Sequence, residues 1–489
     1  MSRSSVQIRK EALGEDRESG PFFVRHPYAG IYVSPFTFAP LPCSDVWNIH
    51  MRTVSTIIAL SMAAINAEAQ TRAIAFTEFD LPNGLHVILH EDHSTPIVAV
   101  SVMYHVGSKD EAKDRRGFAH FFEHLLFEGS DNIPRGEFSK YVEKAGGVLN
   151  ANTNGDRTYY YEVLPSNQLE LGLWLESERM LHARVDQKGV DTQREVVKEE
   201  RRQRYENQPY GSLLPEVLKR AYVEHPYQWP TIGFMEDLNA ASESDYKKFY
   251  KTFYVPNNAA LVITGDIDVK ATKNLVTKYF GDIPKGGKIP RTNIVEPAMK
   301  GEVRDVVYDK IQLPAVVLAY HIPAYGTKDF YAVDMLNRLL SNGNSSRLNK
   351  SLKDQQQKAV YTGSFSLPFE HPGLAMAFAI ANAGVEPDSL EKSMDAEFDK
   401  VRNDAISEDE LAKLKTGIET EFVNANARVA GIAENLASAY TFLGNTAKVN
   451  SEVQNYLSVS SADLQRVARQ YFAPDKRVVL HYLPMSQKP

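Results

Sequence analysis

Apolar residues recur along this chain with two periods, and the switches between them divide it into elements. From Phe76 the segments "LHVILHED" and "TPIVAVSVMYHVG" are rich in Val and Ile and alternate with period two. They predict two strands joined as a hairpin through the turn-forming "DHSTP". Helical spacing follows over residues 119–127, 137–144, 168–181 and 192–205, with strands at "GGVLNANT" and "RTYYYEVLP" between them. The mixture is α+β.

Two later stretches echo each other. "FYVPNNAALVITGDI" (253–267) and "YFAPDKRVVLHYLP" (471–484) each follow a helix, set an aromatic pair before x-Pro, and run into a β-rich segment. Each closes a half of about 200 residues, a usual domain size, which predicts an internal duplication. "GDIPKGGKIPRTNIVEPAMKG" (281–301), with three prolines and four glycines, reads as the connection. The expected domains are 74–284 and 301–487 with a linker over 285–300, the second half restarting with strands at "EVRDVVYD" and "AVVLAYHI".

The first residues follow neither period. Residues 1–50 hold five prolines between Pro21 and Pro42 and the chain's single cysteine, Cys43, and read as an irregular leader. "MRTVSTIIALSMAAINAEAQ" (51–70) then has a basic start, an apolar stretch too short to span a membrane and a small-residue exit at Ala67-Glu68-Ala69. That is the layout of a secretory signal peptide over 51–69. A short buried helix behind an irregular tail is the plainer reading. On the export reading Met51 is the start, residues 1–50 are an over-extension, and a soluble periplasmic or secreted protein begins near Gln70. It then has no cysteine, so disulfides and thiolate ligands are closed to it.

Composition narrows the class further. Hydrophobic content of 43% with 24% charged residues describes a globular protein with a large core. At 489 residues the chain is long enough for two domains. A net charge of −7, with no Lys/Arg track, speaks against nucleic acid as a partner.

Candidate chemistry lies in "GFAHFFEHLLFEGS" (117–130). On a helix, residues three and four apart share a face, so His120, Glu123 and His124 project together. Two imidazoles one turn apart can chelate a divalent ion, and the carboxylate between them can act on water. A hydrogen-bonded His pair in a core is the plainer alternative. Catalytic zinc usually takes three protein ligands, and the best source of a third is the charged helix "DTQREVVKEERRQRYENQ" (191–208), with Asp191 as a plausible N-cap. Its glutamates Glu195, Glu199 and Glu200 cannot be separated by pattern, and a solvated face is the usual fate of such a run.

These residues resemble the insulinase or pitrilysin family of zinc peptidases, which includes mitochondrial processing peptidases. The resemblance runs from Phe76 to Pro484 and rests on the motif above, "GGVLNANTNGDRTYYYEVLP", "REVVKEERRQ", "HPYQWPTIGFMEDLNA" and the two echoing segments. It implies two duplicated α/β sandwich-like domains, each a mixed, largely antiparallel sheet with helices packed on it, forming half of a clamshell. It further implies a zinc metalloendopeptidase with one Zn2+ per chain, His120 and His124 as ligands and Glu123 as the general base. The family spacing of about 76 residues from the second histidine falls on Glu200 as third ligand. The family often carries a second glutamate seven residues earlier, where this chain has Gln193.

Substrate in that family binds as an added β-strand, which points to Asn150, Ala151 and Asn152 on "GVLNANT". The family's Arg and Tyr, which stabilise the tetrahedral intermediate, align here with Asp354 and Val360, with Tyr361 one step out of place. The pair is therefore expected from a paralogous subunit in a dimer. Two other readings stand beside the enzyme: a non-catalytic assembly subunit, and a peptide-binding chamber protein of the same fold.

Overall fold

A computed structural model describes residues 73–489, so the leader and the signal segment lie outside the described residues. The first half runs β1 (Thr77–Asp80), β2 (His86–Glu91), β3 (Ile97–Tyr104), α1 (Phe118–Leu125), α2 (Phe138–Lys144), β4 (Val148–Thr153) and β5 (Thr158–Pro165). Helices α3 (Leu169–Leu181), α4 (Gln187–Arg201), α5 (Leu213–Ala221), α6 (Met235–Ala240) and α7 (Glu243–Phe253) follow, then β6 (Ala259–Gly265) and α8 (Val269–Phe280). The second half runs β7 (Val303–Asp309), β8 (Ala315–Ile322), α9 (Lys328–Ser341), β9 (Ala359–Leu367) and β10 (Gly373–Ala381). It continues through α10 (Pro387–Asn403), α11 (Glu408–Asn426), α12 (Val429–Leu443), α13 (Glu452–Leu457) and α14 (Ser461–Tyr471) to β11 (Val478–Pro484).

The first sheet has the order β1-β2-β6-β3-β5-β4 and the second β7-β11-β8-β10-β9. Without β1, the two are one topology used twice. In each, the last strand of the half lies between the first two and pairs in parallel with the opening one, while every other pairing is antiparallel. The two echoing segments supply those last strands, β6 and β11, which occupy the same seat.

That seat overturns the expected hairpin between β2 and β3. β6 is buried at every residue, and a strand apolar on both faces belongs in the interior of a sheet. It inserts between β2 and β3, whose chain reversal at "DHSTP" survives without direct pairing. The hairpin partner of β2 is instead β1, which the sequence pattern did not reveal. The expected N-cap of the charged helix shifts as well: α4 begins at Gln187, capped by Asp186, whose side chain accepts from Gly189 N–H at 2.8 Å. Asp191 lies inside the helix and pairs with Arg194.

Period-two alternation gives each sheet two apolar faces. In the first, Val87, Leu89, Val98, Val100 and Val102 meet helices of their own half. The opposite face, Ile88, Ala99, Met103 and Val262, is closed by Ile432, Ala433, Leu436 and Ala437 of α12, from the second half. The second sheet is treated reciprocally, with Val217, Leu218 and Ala221 of α5 closing Ala315, Val317, Met376 and Leu480. At roughly 1.5–3 kcal/mol for each large aliphatic side chain buried, these two contacts bind the halves strongly.

The connecting residues 284–300 carry no helix or strand. Their backbone is tied down all the same. Glu296 accepts the N–H groups of Val223, Glu224 and His225 at 2.9, 3.1 and 2.7 Å. Arg291 donates to the His105 carbonyl and to Asn258 Oδ1, both at 2.5 Å.

Candidate metal centre

The site begins with α1, "FAHFFEHL", which has no acidic residue in its own first turn. Its N-terminal N–H groups are satisfied from outside: Glu111 accepts Gly117 N–H and Ala119 N–H at 2.8 Å each. Glu111 is buried, which pushes its carboxyl well above the usual range, and these two N–H bonds oppose that shift. Gly117 starts the helix with φ +96°, and a Cβ there would lie 2.6 Å from the Ile232 carbonyl oxygen. Gly233, φ +74°, returns the contact against the Arg116 carbonyl. Only glycine allows these two backbones to pass, which joins the His-x-x-Glu-His segment to "HPYQWPTIG".

Phe118, Phe121, Phe122 and Leu125 anchor the other side of α1. Their rings pack on Tyr246 and Phe249 of α7, with Phe118 and Phe121 each 4.4 Å from the Tyr246 ring centroid. The polar trio is thereby fixed on the opposite side. His120 is buried, and the His120 and His124 rings lie 4.8 Å apart between centroids.

The third group comes from α4. Glu200 Oε2 lies 3.1 Å from His124 Nε2 and 3.6 Å from His120 Nε2. One ligand atom from each of His120, His124 and Glu200 falls within 4.8 Å of the others. The other glutamates of the run face away: Glu195 pairs with Lys198 and Glu199 with Arg202. Burial lowers the His120 pKa to about 3, helped by the neighbouring His124 and opposed by Glu200, so its imidazole is neutral at physiological pH. Burial alone would raise Glu200, but its contact with His124, with the Arg204 guanidinium beside it, outweighs burial and holds the carboxyl at about 2.

Glu200 Oε2 is buried and, although 3.1 Å from His124 Nε2, lacks the alignment of a hydrogen bond. A buried oxygen short of a well-aligned partner is costly, and a divalent cation held by it and the two imidazoles would satisfy it. A neutral imidazole, an ionised carboxylate and a second imidazole also make up a zinc-type donor set. The residues fit a metal.

Glu123 stands beside this group. Its Oε2 accepts from the Thr153 hydroxyl at 2.7 Å. Burial raises its pKa, and the Thr153 bond opposes the shift. Thr153 ends β4, one of the two edge strands of the first sheet. On that edge Ala151 N–H donates to Asn150 Oδ1 at 2.9 Å, and Arg157 Nη1 donates to the Asn152 carbonyl at 3.1 Å. Thr153 and Arg204, which pairs with Glu200 Oε1 at 2.7 Å, escaped the sequence reading. The nearest signal for Thr153 was its place at the end of "GVLNANT". Gln193 donates to Glu128 Oε1 at 2.5 Å, so a carboxylate does adjoin that position, supplied from the turn after α1.

Far along the chain, Asp354 lies in the π-helical turn Asn349–Gln355, and Val360 and Tyr361 are exposed at the start of β9, Tyr361 leaning on Phe378.

A duplicated α/β frame with two imidazoles and a carboxylate on one helix and a third donor on another is the build of the insulinase class. Residues 86–233 match the family described as Insulinase (Peptidase family M16), and residues 241–418 match the one described as Peptidase M16 inactive domain. The chain belongs to the M16 family. It is 32% identical over 435 residues to the zinc protease PqqE of Helicobacter pylori, covering 88% of this chain and 98% of that protein. The crystal structure of a protease from Helicobacter pylori superposes with a TM-score of 0.81 at 31% identity, covering 84% of this chain and 100% of that one. The periplasmic protease PqqL of Escherichia coli shares the fold, with a TM-score of 0.68 at 18% identity over 83% of this chain and 47% of that one. Among the described residues no helix is long and apolar enough to cross a membrane.

Proposed function

We propose that this protein is a zinc-dependent endopeptidase acting on unfolded peptides, with His120, His124 and Glu200 holding one Zn2+ per chain. The convergence of three ligand atoms within 4.8 Å, beside a half-buried carboxylate, carries this reading. A divalent cation there supplies Lewis acidity, acidifying water and polarising a peptide carbonyl. Glu123 moves the proton: raised by burial toward the protonated form, it takes a proton from water and passes it to the amide nitrogen as the bond breaks. Thr153 occupies its Oε2 and leaves Oε1 free for that transfer.

Peptide binds as an added strand on the β4 edge, where Asn150, Ala151 and Asn152 offer main-chain groups. The Asn150 side chain, now on Ala151 N–H, swings aside for it. The catalytic domain spans 74–284, joined by 285–300 to the homologous domain 301–487. With Asp354 and Val360 where the family's Arg and Tyr belong, a paralogous subunit supplies that pair in a dimer. Coverage of only about half of PqqL, which is 92% of its first half solved separately, supports such pairing. Export through the 51–69 signal peptide places the enzyme in the periplasm or outside the cell.

The test uses the chain from Gln70 with a quenched-fluorescence peptide library and metal analysis. Wild type should hold about one zinc and cleave. Glu123→Gln should keep zinc without turnover, and Glu200→Gln should lose it. A wild type without zinc would move the reading to a non-catalytic subunit. Activity of the chain alone equal to that of a mixed pair would remove the paralogous partner.

A further inference from the structure

We infer that Arg204 is a positioning residue of the metal centre, pairing with the outer oxygen of Glu200 so that the inner oxygen stays turned toward the two imidazoles. The inference rests on the reading of Glu200 as a metal ligand. Three arginines follow Glu200 closely, and the structure gives each a different duty. Arg201 donates to the Gly233 carbonyl at 3.1 Å and to Glu206 at 2.7 Å. Arg202 turns back to Glu199 at 3.1 Å. Arg204 alone of the three meets the ligand set, with Nη2 2.7 Å from Glu200 Oε1. It does so from a π-helical turn, Arg202–Glu206, that extends α4 at its C-terminal end. Such turns are rare and recur at functional sites.

The two oxygens of Glu200 therefore have separate roles. Oε2 faces His120 and His124, and Oε1 faces the guanidinium. A carboxylate held at one oxygen is already in place when a cation arrives, and partners of this kind are typically worth 10–100-fold in metal affinity. Charge acts the other way, since a guanidinium near a cation repels it. The Arg204 side chain is 62% exposed, so solvent screens its field on a more distant cation more than its 2.7 Å contact with Glu200. Positioning is the larger effect.

The test is zinc affinity of the metal-free chain from Gln70, by competition with a chromogenic chelator, for wild type, Arg204→Met and Arg204→Lys. Thermal unfolding of the metal-free proteins is read in parallel. The inference predicts unchanged metal-free melting, zinc binding 10–100-fold weaker in Arg204→Met, and partial recovery in Arg204→Lys, which keeps a cation with less reach. Unchanged or tighter binding by Arg204→Met, with wild type binding one zinc, overturns the inference and leaves the ligand set intact. A wild type that binds no zinc removes the ligand reading and this inference with it.

Discussion

Single side chains decide how sharply the site is tuned, and two of them give direct tests. Among the described residues, Thr153 makes the one hydrogen bond that orients Glu123. Thr153→Val should lower kcat/KM about tenfold, close to the loss of one hydrogen bond to a charged group, with zinc stoichiometry unchanged by metal analysis. Glu162 offers a pH test away from the metal. It is wholly buried beside Glu176, and burial with that neighbour pushes its carboxyl well above the usual carboxylate range, against the pull of Arg179. A carboxyl raised on folding contributes stability that is complete below its unfolded pKa and fades as pH rises through the folded one. Glu162→Gln should therefore melt higher than wild type at pH 8 and match it near pH 4 in thermal unfolding. His120, Glu123 and His124 were legible from spacing alone because a helix fixes which residues share a side. Glu200 was not, since Glu195, Glu199 and Glu200 have equal claims in a charged run until the approach of α4 to α1 is known. Thr153 and Arg204 were silent for the same reason: their partners are set by packing or by an irregular turn.

At the level of elements, α1 is held by groups that are not in it. Glu111 caps it from the preceding loop, and Gly233 lets a distant backbone cross at Gly117. Gly117→Ala places a Cβ at positive φ and against the Ile232 carbonyl, so it should cost about 2 kcal/mol or more in denaturant unfolding and weaken zinc binding with it. Most helices and strands were readable because their apolar periods are long and clean. The β2–β3 hairpin was misread because adjacency in sequence suggested pairing, while full burial of β6 demanded a central seat. That demand was visible in "AALVITG", a run without polar alternation. The π-helical turn after α4 left no pattern to find.

For the whole molecule, duplication could be read from the paired segments 253–267 and 471–484, but the exchange of helices between halves could not. Apolar faces announce that they must be covered, not by which part of the chain. Since α12 closes the first sheet and α5 the second, neither half has a complete core of its own. Leu436→Ala should destabilise by about 2–5 kcal/mol, and calorimetry should show one cooperative transition for both halves. A fragment ending in the linker should fail to fold, leaving Ile88, Met103 and Val262 uncovered. This exchange also sets an order in time. A ribosome that has released only the first half has already made His120, Glu123, His124 and Glu200, but not the helix that seals their sheet. The grouping of these four side chains then waits for nearly the last part of the chain to emerge, and a nascent or truncated product is left without it.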